Sequence, residues 1–216
     1  MKRLKLAILL LLIPLCCVAF AALTKTTSIV ELDPWQAVAA ATLDVGNAGD
    51  ISGSYDTILY LEIAYTDTDA QDGVEVSIEV SYGDDDWTLL AKPFTTPIGQ
   101  ADTTTLDGVE VAGQTVISVI DGSNIGSPGQ KWFIEDNSGN PEESESVRTK
   151  SAAANDITIC HDLIRSHADL DPVWSIVHEY ILPIPASFAY VRVLINNTDA
   201  NARIHYTTRL SKVTGL

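Results

Sequence analysis

The chain has 216 residues, of which 29 are acidic and 13 basic, and its formal net charge is −16 at pH 7. A surface this negative repels the phosphate backbone of nucleic acids. We therefore expect no nucleic-acid partner. Cation binding stays open, although solubility alone also explains the charge.

The first 21 residues predict a signal peptide with a hydrophobic leader helix. An unbroken apolar run over residues 6–23 follows a short basic head, which consists of Lys2, Arg3 and Lys5. Small residues at Ala19 and Ala21 favour cleavage before Ala22, so the mature protein is expected outside the cell. The alternative is an uncleaved leader that anchors the chain in a membrane, because the run just reaches the ~18 residues of a spanning helix.

Removal of the leader leaves 10 basic and 29 acidic residues, a formal charge of −19. Two of the three cysteines leave with it, so Cys160 has no partner for an intramolecular disulfide. At this length a hydrophobic core can stabilise the fold unaided. We expect Cys160 to be a small core residue, because it follows the alternating Ile157 and Ile159.

Strict alternation of apolar and polar residues predicts β-strands over most of the mature chain. Residues 55–65 and 74–82 predict a first hairpin, and the acidic turn of residues 82–87 leads to a short strand at 87–90. Residues 190–195 and 203–210 predict a second hairpin. Together they predict an antiparallel, jelly-roll-like β-sandwich in two pieces, residues 22–107 and 171–216.

Residues 108–170 predict a separate small β-barrel or β-sandwich inserted between those pieces. Short strands alternate there with connectors rich in Gly, Pro, Asn and Asp. The predicted strands are residues 115–120, 131–135, 144–150 and 157–160. One helical turn is expected within residues 163–170.

Several segments resemble β-sandwich modules of tailed-phage virion appendages and head decorations. They are residues 52–56, the stretch VEVSYGDDDWTLL and the late strand of residues 188–193. Discoidin-type carbohydrate-binding sandwiches share this outline. In the insert, residues 129–134, 145–147, 155–159 and 162–167 are similar to a small β-module of virion proteins. The resemblance implies a structural, appendage or decoration subunit.

Two acidic corners are candidate calcium sites. Asp67 and Asp69 occupy the first and third positions of an EF-hand loop, but Asp72 stands where that loop needs glycine. The interpretations are therefore a non-EF calcium loop with Asp67, Asp69 and Asp72 as ligands, or a plain polar turn. At the second corner, residues 82–87, we favour the turn because adjacent aspartates diverge. We expect no other cofactor.

Four tryptophans suggest sugar stacking in an exported β-protein. Trp35 is the candidate ligand-binding residue, expected to be partly exposed, whereas the core is the expected place of Trp87, Trp132 and Trp174. The histidines His161, His167 and His178 lack zinc spacing and are expected at the surface or at strand ends.

No nucleophile elbow or metalloprotease motif is present, so we expect no catalysis. The composite prediction is a structural or adhesive β-protein, exported or virion-associated, that associates with copies of itself and contacts a glycan or another cell-surface ligand. The alternative is a secreted carbohydrate-binding module, assisted by calcium or not. A hydrolase is the third and weakest interpretation, since chance carboxylate pairs are common in so acidic a chain.

Overall fold

The computed structural model describes residues 25–97, 101–123 and 127–215, and the predicted signal peptide lies outside them. These residues form sixteen β-strands. Seven precede the insert: β1 (Thr26–Val38), β2 (Thr42–Val45), β3 (Gly49–Asp50), β4 (Asp56–Tyr65), β5 (Val74–Ser81), β6 (Thr88–Leu89) and β7 (Phe94–Thr95). Six belong to the insert: β8 (Thr103–Thr105), β9 (Val116–Ser118), β10 (Lys131–Ile134), β11 (Glu145–Ala153), β12 (Asp156–Ile159) and β13 (Pro172–Trp174). Three follow: β14 (Val177–Ile184), β15 (Tyr190–Asn197) and β16 (Ile204–Thr214).

The strands form three sheets in which every pairing is antiparallel. Sheet A has the order β1-β16-β4-β14, and sheet B has the order β2-β15-β5-β6, with β3 also pairing β15 and β7 also pairing β5. The insert sheet has the order β8-β13-β10-β11-β12-β9. The predicted all-β, antiparallel architecture is confirmed. In the part of the chain that is described, no helix has the length and apolar character needed to cross a membrane.

Sheets A and B share one hydrophobic core. Leu59, Leu61 and Ile63 of β4 are fully buried in it, opposite the inward residues of sheet B. As the alternation predicts, Val76 and Val80 of β5 are also buried. Each such side chain contributes roughly 1.5–3 kcal/mol through burial, so this stripe supplies much of the driving force for folding.

The two predicted long hairpins are wrong. β4 lies in sheet A and β5 in sheet B, and likewise β15 lies in sheet B and β16 in sheet A. Residues 66–73 and 198–203 are therefore arches that cross between the sheets. β4 pairs with β16 and β5 pairs with β15, so the two arches lie side by side at one end of the sandwich. Alternation identifies a strand and its buried face, but it does not identify the strand's partner.

The insert sheet is wider than the predicted 108–170 segment. It begins at β8 and ends at β13, both of which were assigned to the sandwich. All four predicted strands of the insert are present, and they enclose a separate core around Trp132. Residues 163–170 contain no helical turn; the one 3₁₀ turn among the described residues is Pro141–Glu143.

The insert packs against the outer face of sheet A. Phe133 of β10 contacts Trp35 of β1, with ring centroids 4.5 Å apart, and both belong to a small apolar cluster with Ala64. Phe133 also lies 5.1 Å from the His205 ring. This contact buries Glu62 and His205, which stand at the outward positions of β4 and β16.

Candidate functional site

A cleft of about 610 Å³ lies where the insert meets the outer face of sheet A. Sheet A supplies one side, and β10, β11 and the segment after β12 supply the other. Its volume falls within the range of roughly 300–1,000 Å³ that is typical of small-molecule sites. Its lining residues are mostly polar or charged, and the charged ones are Glu31, Glu62, Lys131, Glu145, Arg148, Arg165, Glu179 and Arg209.

Glu62 lies at the centre of the cleft's charge network. Lys131 Nζ is 2.8 Å from Glu62 Oε1, and the Ser146 hydroxyl donates to Glu62 Oε2 at 2.6 Å. Arg209 Nη2 donates to Oε1 at 2.5 Å. Burial raises the pKa of Glu62, but the Lys131 charge and these hydrogen bonds outweigh it, so the pKa lies below its ordinary value. Glu62 is therefore an ionised carboxylate that binds the insert to sheet A.

Glu179 lies beside Glu62, as its cross-strand partner on β14. Lys131 Nζ is 3.4 Å from Glu179 Oε1 and so bridges the two carboxylates. Arg148 Nη2 donates to Glu179 Oε2 at 2.8 Å, while its Nη1 donates to the Gly129 carbonyl at 2.8 Å. The side chains of Arg148 and Glu179 are 41% and 34% exposed, so this pair faces the open part of the cleft.

Glu145 holds the opposite wall of the cleft in place. Its carboxylate accepts the backbone N–H groups of Ile164 (3.1 Å) and Arg165 (3.0 Å), and His167 Nε2 lies 2.9 Å from Oε1. Burial raises the pKa of Glu145, but these hydrogen bonds outweigh it and leave the pKa below its ordinary value. The segment after β12 is thereby held against β11. His167 is buried, so its predicted place at the surface or a strand end is wrong.

The cleft is electrically balanced in a strongly acidic chain. Four acidic and four basic side chains line it, so its formal charge is zero where the whole chain carries −16. Four of the thirteen basic residues are thus gathered at one place. Guanidinium and ammonium groups are hydrogen-bond donors and carboxylates are acceptors. The arrangement can therefore bind a ligand that carries both kinds of polar group.

The predicted calcium ligands Asp67, Asp69 and Asp72 lie in the arch of residues 66–73. The Asp67 carboxylate accepts the backbone N–H of Asp69 at 2.7 Å, and the N–H of Asp72 donates to Asp199 at 2.9 Å. Over the ranges that the structure describes, no three His, Cys, Asp or Glu side chains form a group suited to a metal ion. Calcium binding at this arch stays a prediction, while Asp199 is a structural centre of the arch that sequence reasoning missed.

The acidic corner of residues 82–87 connects β5 to β6 as a hairpin, which is the turn that the sequence predicts. Asp84 adopts a left-handed conformation with φ of 65°, which Asp tolerates better than most residues. The Ser81 hydroxyl accepts the N–H groups of Gly83 (3.2 Å) and Asp84 (3.1 Å). The three aspartates are exposed.

The tryptophan predictions have mixed outcomes. Trp35 is only 6% exposed, so its expected partial exposure is wrong: Phe133 of the insert covers its ring. Trp132 is buried in the insert core as predicted. Trp87 and Trp174 are half-buried rather than core residues. The Arg192 guanidinium lies 4.1 Å from the Trp87 ring centre, and Trp174 Nε1 donates to Glu135 at 2.8 Å.

Cys160 is exposed, so the prediction of a core position is wrong: the alternation ends at Ile159. Cys160 and the exposed His161 line the cleft. His178 is half-buried on β14. His205, which the sequence did not single out, is buried under the insert, and burial together with the nearby Arg203 charge lowers its pKa to about 3.

Sequence reasoning missed most of the cleft. The available signal was the outward set of each strand, because Glu62 and Arg209 stand at polar positions of β4 and β16 that alternate with buried residues. Nothing local indicated that Lys131 and Arg148 of the insert would meet them.

No family model matches the chain, and no curated protein matches it. Among solved structures it is similar to the Gp54 tailspike of Acinetobacter baumannii bacteriophage AP22, solved in complex with A. baumannii capsular saccharide. That likeness has 19% identity, covers 44% of this chain and 15% of the tailspike, and has a TM-score of 0.26. The structure of infectious bursal disease virus, Gx strain, is also similar. The likeness has 6% identity, covers 90% of this chain and 43% of the viral chain, and has a TM-score of 0.27. The VP2 subviral particle of the same virus is 6% identical with the same coverages and a TM-score of 0.26.

This chain spans less than half the length of each of these structures. TM-scores this low carry no inference about its fold or function. The sheets themselves define the class: an all-β protein built from antiparallel sheets, with a charged cleft where the insert meets sheet A.

Proposed function

We propose that the protein is a non-enzymatic structural or adhesive subunit, exported or virion-associated, that associates with copies of itself. The observation that carries the proposal is the β2 edge of the outer face of sheet B, where aliphatic side chains stand exposed. They are Leu43 and Val45 of β2. Leu194 of β15 lies directly opposite Val45 and extends the same face. Contiguous exposed apolar groups on a sheet favour a protein partner.

A second copy of the chain is the partner that this face fits. In a two-fold dimer the same residues of both copies meet, so the apolar patch of Leu43, Val45 and Leu194 can pack against the same patch of a second copy. Both copies are strongly negative, so their mutual repulsion opposes association. Salt screens that repulsion. Association is therefore expected to strengthen as salt is raised, which is opposite to the behaviour of an interface built on ion pairs.

Light scattering on the mature protein tests this proposal. The mass of the particle should rise with protein concentration, and more so at about 0.5 M than at about 0.05 M salt. Val45→Asp should dissociate the copies, whereas the matched control Val116→Asp, on β9 of the insert, should not. The two valines are 50% and 45% exposed, so neither change empties a core position. A monomer under all conditions, or equal behaviour of both variants, contradicts the proposal.

The chemistry of the cleft supports the non-enzymatic part of the proposal. The acid of a glycosidase requires a raised pKa, whereas the pKa of Glu62 is lowered and its neighbour Glu179 shares Lys131 with it. Turnover of any substrate in a polysaccharide panel, lost on Glu179→Gln, would contradict this part.

Export has its own test. Mass spectrometry of the secreted protein should find Ala22 at its N-terminus, and an intact leader in the membrane fraction would favour the anchored alternative.

A carbohydrate-binding module is the second candidate function, and the observation that favours it is the balanced, polar cleft. Glycan-array binding with and without a calcium chelator tests it directly. Loss of binding on chelation would support a calcium ion at the arch of Asp67, Asp69 and Asp72. Binding that resists chelation would leave that arch as a polar connection.

A further inference from the structure

We infer that the cleft between sheet A and the insert binds an uncharged saccharide, with Arg148, Glu179 and Arg209 as its polar contacts. This inference rests on the carbohydrate-binding candidate above and adds the site and the ligand class. The nearest rival ligand is an acidic saccharide, which the three arginines of the cleft would also attract.

The charge count favours the uncharged ligand. Every basic residue of the lining is matched by an acidic one, so the cleft offers no excess positive charge to an anion. The remainder of the chain is negative and repels an anionic sugar as it approaches. A neutral ligand is not repelled by the negative chain, and it does not need an excess of positive charge in the cleft.

The unused hydrogen-bonding capacity of the cleft fits sugar hydroxyl groups. A guanidinium has five N–H donors. Arg209 donates to Glu62, and Arg148 donates to Glu179 and to the Gly129 carbonyl. Among the described residues, other N–H donors of both guanidinium groups therefore remain available beside the cleft. Glu179 retains acceptor capacity at its rim position. A hydroxyl group can donate to the carboxylate while accepting from a guanidinium, so one sugar hydroxyl can contact both.

Apolar side chains flank these polar groups of the cleft. Ile29 of β1 and Ile164 of the opposite wall both line the cleft, and each is 73% exposed. Such side chains suit the C–H faces of a sugar ring, and mixed apolar and polar lining is typical of ligand sites. Trp35 also lines the cleft, but it is too buried to serve as a stacking platform.

The test compares neutral trisaccharides based on glucose, galactose and mannose with trigalacturonate, by calorimetry on the mature protein. At least one neutral trisaccharide should bind, and trigalacturonate should bind at least about tenfold more weakly. Arg148→Gln and Glu179→Gln should each weaken binding by about tenfold or more. Both positions are partly exposed, and such ion pairs add little to stability, so the variants should fold.

Matched controls lie on the outer face of sheet B. Arg192 and Glu79 form a similar pair, with Nη2 2.7 Å from Oε2, and Arg192→Gln and Glu79→Gln should leave the affinity unchanged. Ile164→Ser should weaken binding, whereas Ile181→Ser, at an exposed position that does not line the cleft, should not.

Each other outcome overturns a distinct part of the inference. Preference for trigalacturonate overturns the ligand class. Neutral binding that the cleft variants do not change overturns the site, while the carbohydrate-binding function survives. No binding by the folded wild type to these sugars or to the wider array overturns both. Self-association, measured in the same samples with Val45→Asp, fails or succeeds independently of all three.

Discussion

The Oδ2 atom of Asp199 accepts a hydrogen bond of 2.6 Å from the backbone N–H of Gln71, although the two residues lie 128 positions apart. The same atom accepts the N–H of Asp72 at 2.9 Å, and Oδ1 accepts those of Asn201 and Ala202 at 2.8 Å each. One buried carboxylate thus satisfies four backbone donors, two in each arch. It joins the two places where the chain crosses between sheets A and B.

Asp199→Ala should therefore lower the free energy of unfolding by roughly 2–4 kcal/mol, because buried backbone donors lose a charged acceptor. Asp69→Ala, in the same arch region but exposed, should change it by no more than about 0.5 kcal/mol. Urea denaturation followed by circular dichroism measures both. Equal midpoints for the two variants would show that the arches are held together by other contacts.

The stability that Asp199 provides should be lost in acid. Burial raises its pKa, but the four N–H donors outweigh it, so the pKa lies far below its ordinary value. Its contribution is complete above the unfolded-state pKa of about 3.9 and declines as the pH falls further, because the unfolded chain then binds the proton more readily. Below about pH 4 the wild type should lose stability more steeply than Asp199→Asn. Parallel slopes would contradict this, and Asp69→Asn serves as the control.

His205 should produce a separate pH dependence at higher pH. Its pKa falls to about 3 in the folded protein, and the unfolded value is about 6.5. The unfolded state therefore takes up a proton first, and stability should decline as the pH falls from about 6.5 towards about 3. His205→Gln should flatten the slope in this window, whatever its effect on absolute stability. His161→Gln, the same substitution at an exposed position, serves as the control.

Glu62→Gln should destabilise the contact between insert and sandwich. The change removes the carboxylate that Lys131 and Arg209 share, and it leaves the largely buried Lys131 ammonium with Glu179 alone, at 3.4 Å. A loss of about 2–4 kcal/mol is expected, because one partner of a buried ion pair is removed. Thermal unfolding measures it, with Glu79→Gln of the outer sheet B face as the control. A melting temperature equal to that of the control would show that the apolar contact of Trp35 and Phe133 suffices.

Local pattern predicted the strands well and their partners poorly. The alternation at Val76, Ile78 and Val80 identified both a strand and its buried face, because side chains of a strand point alternately to its two sides. The acidic turn before Trp87 was predicted for a similar reason, since its residues tolerate left-handed backbone conformations. Both inferences depend on residues within a few positions of one another.

The candidate site was predicted least. Trp35 was expected to be partly exposed and Cys160 to be buried. Both expectations were wrong, because Phe133 of the insert covers the Trp35 ring and because the strand alternation ends at Ile159. Glu62 stands at an outward position of β4 and would be an ordinary surface residue if the insert packed elsewhere. Its burial and its contact with Lys131 depend on residues far away in sequence.

The sequence by itself determined that this protein is made of β-strands with one apolar face, because period-two alternation is a property of each segment alone. Only the tertiary structure decided that two connections cross between the sheets and that Asp199 joins them. It also decided that a cleft lined by equal numbers of acidic and basic side chains forms where the insert meets sheet A. These features come from contacts between distant segments, and their energies depend on burial that no single segment specifies.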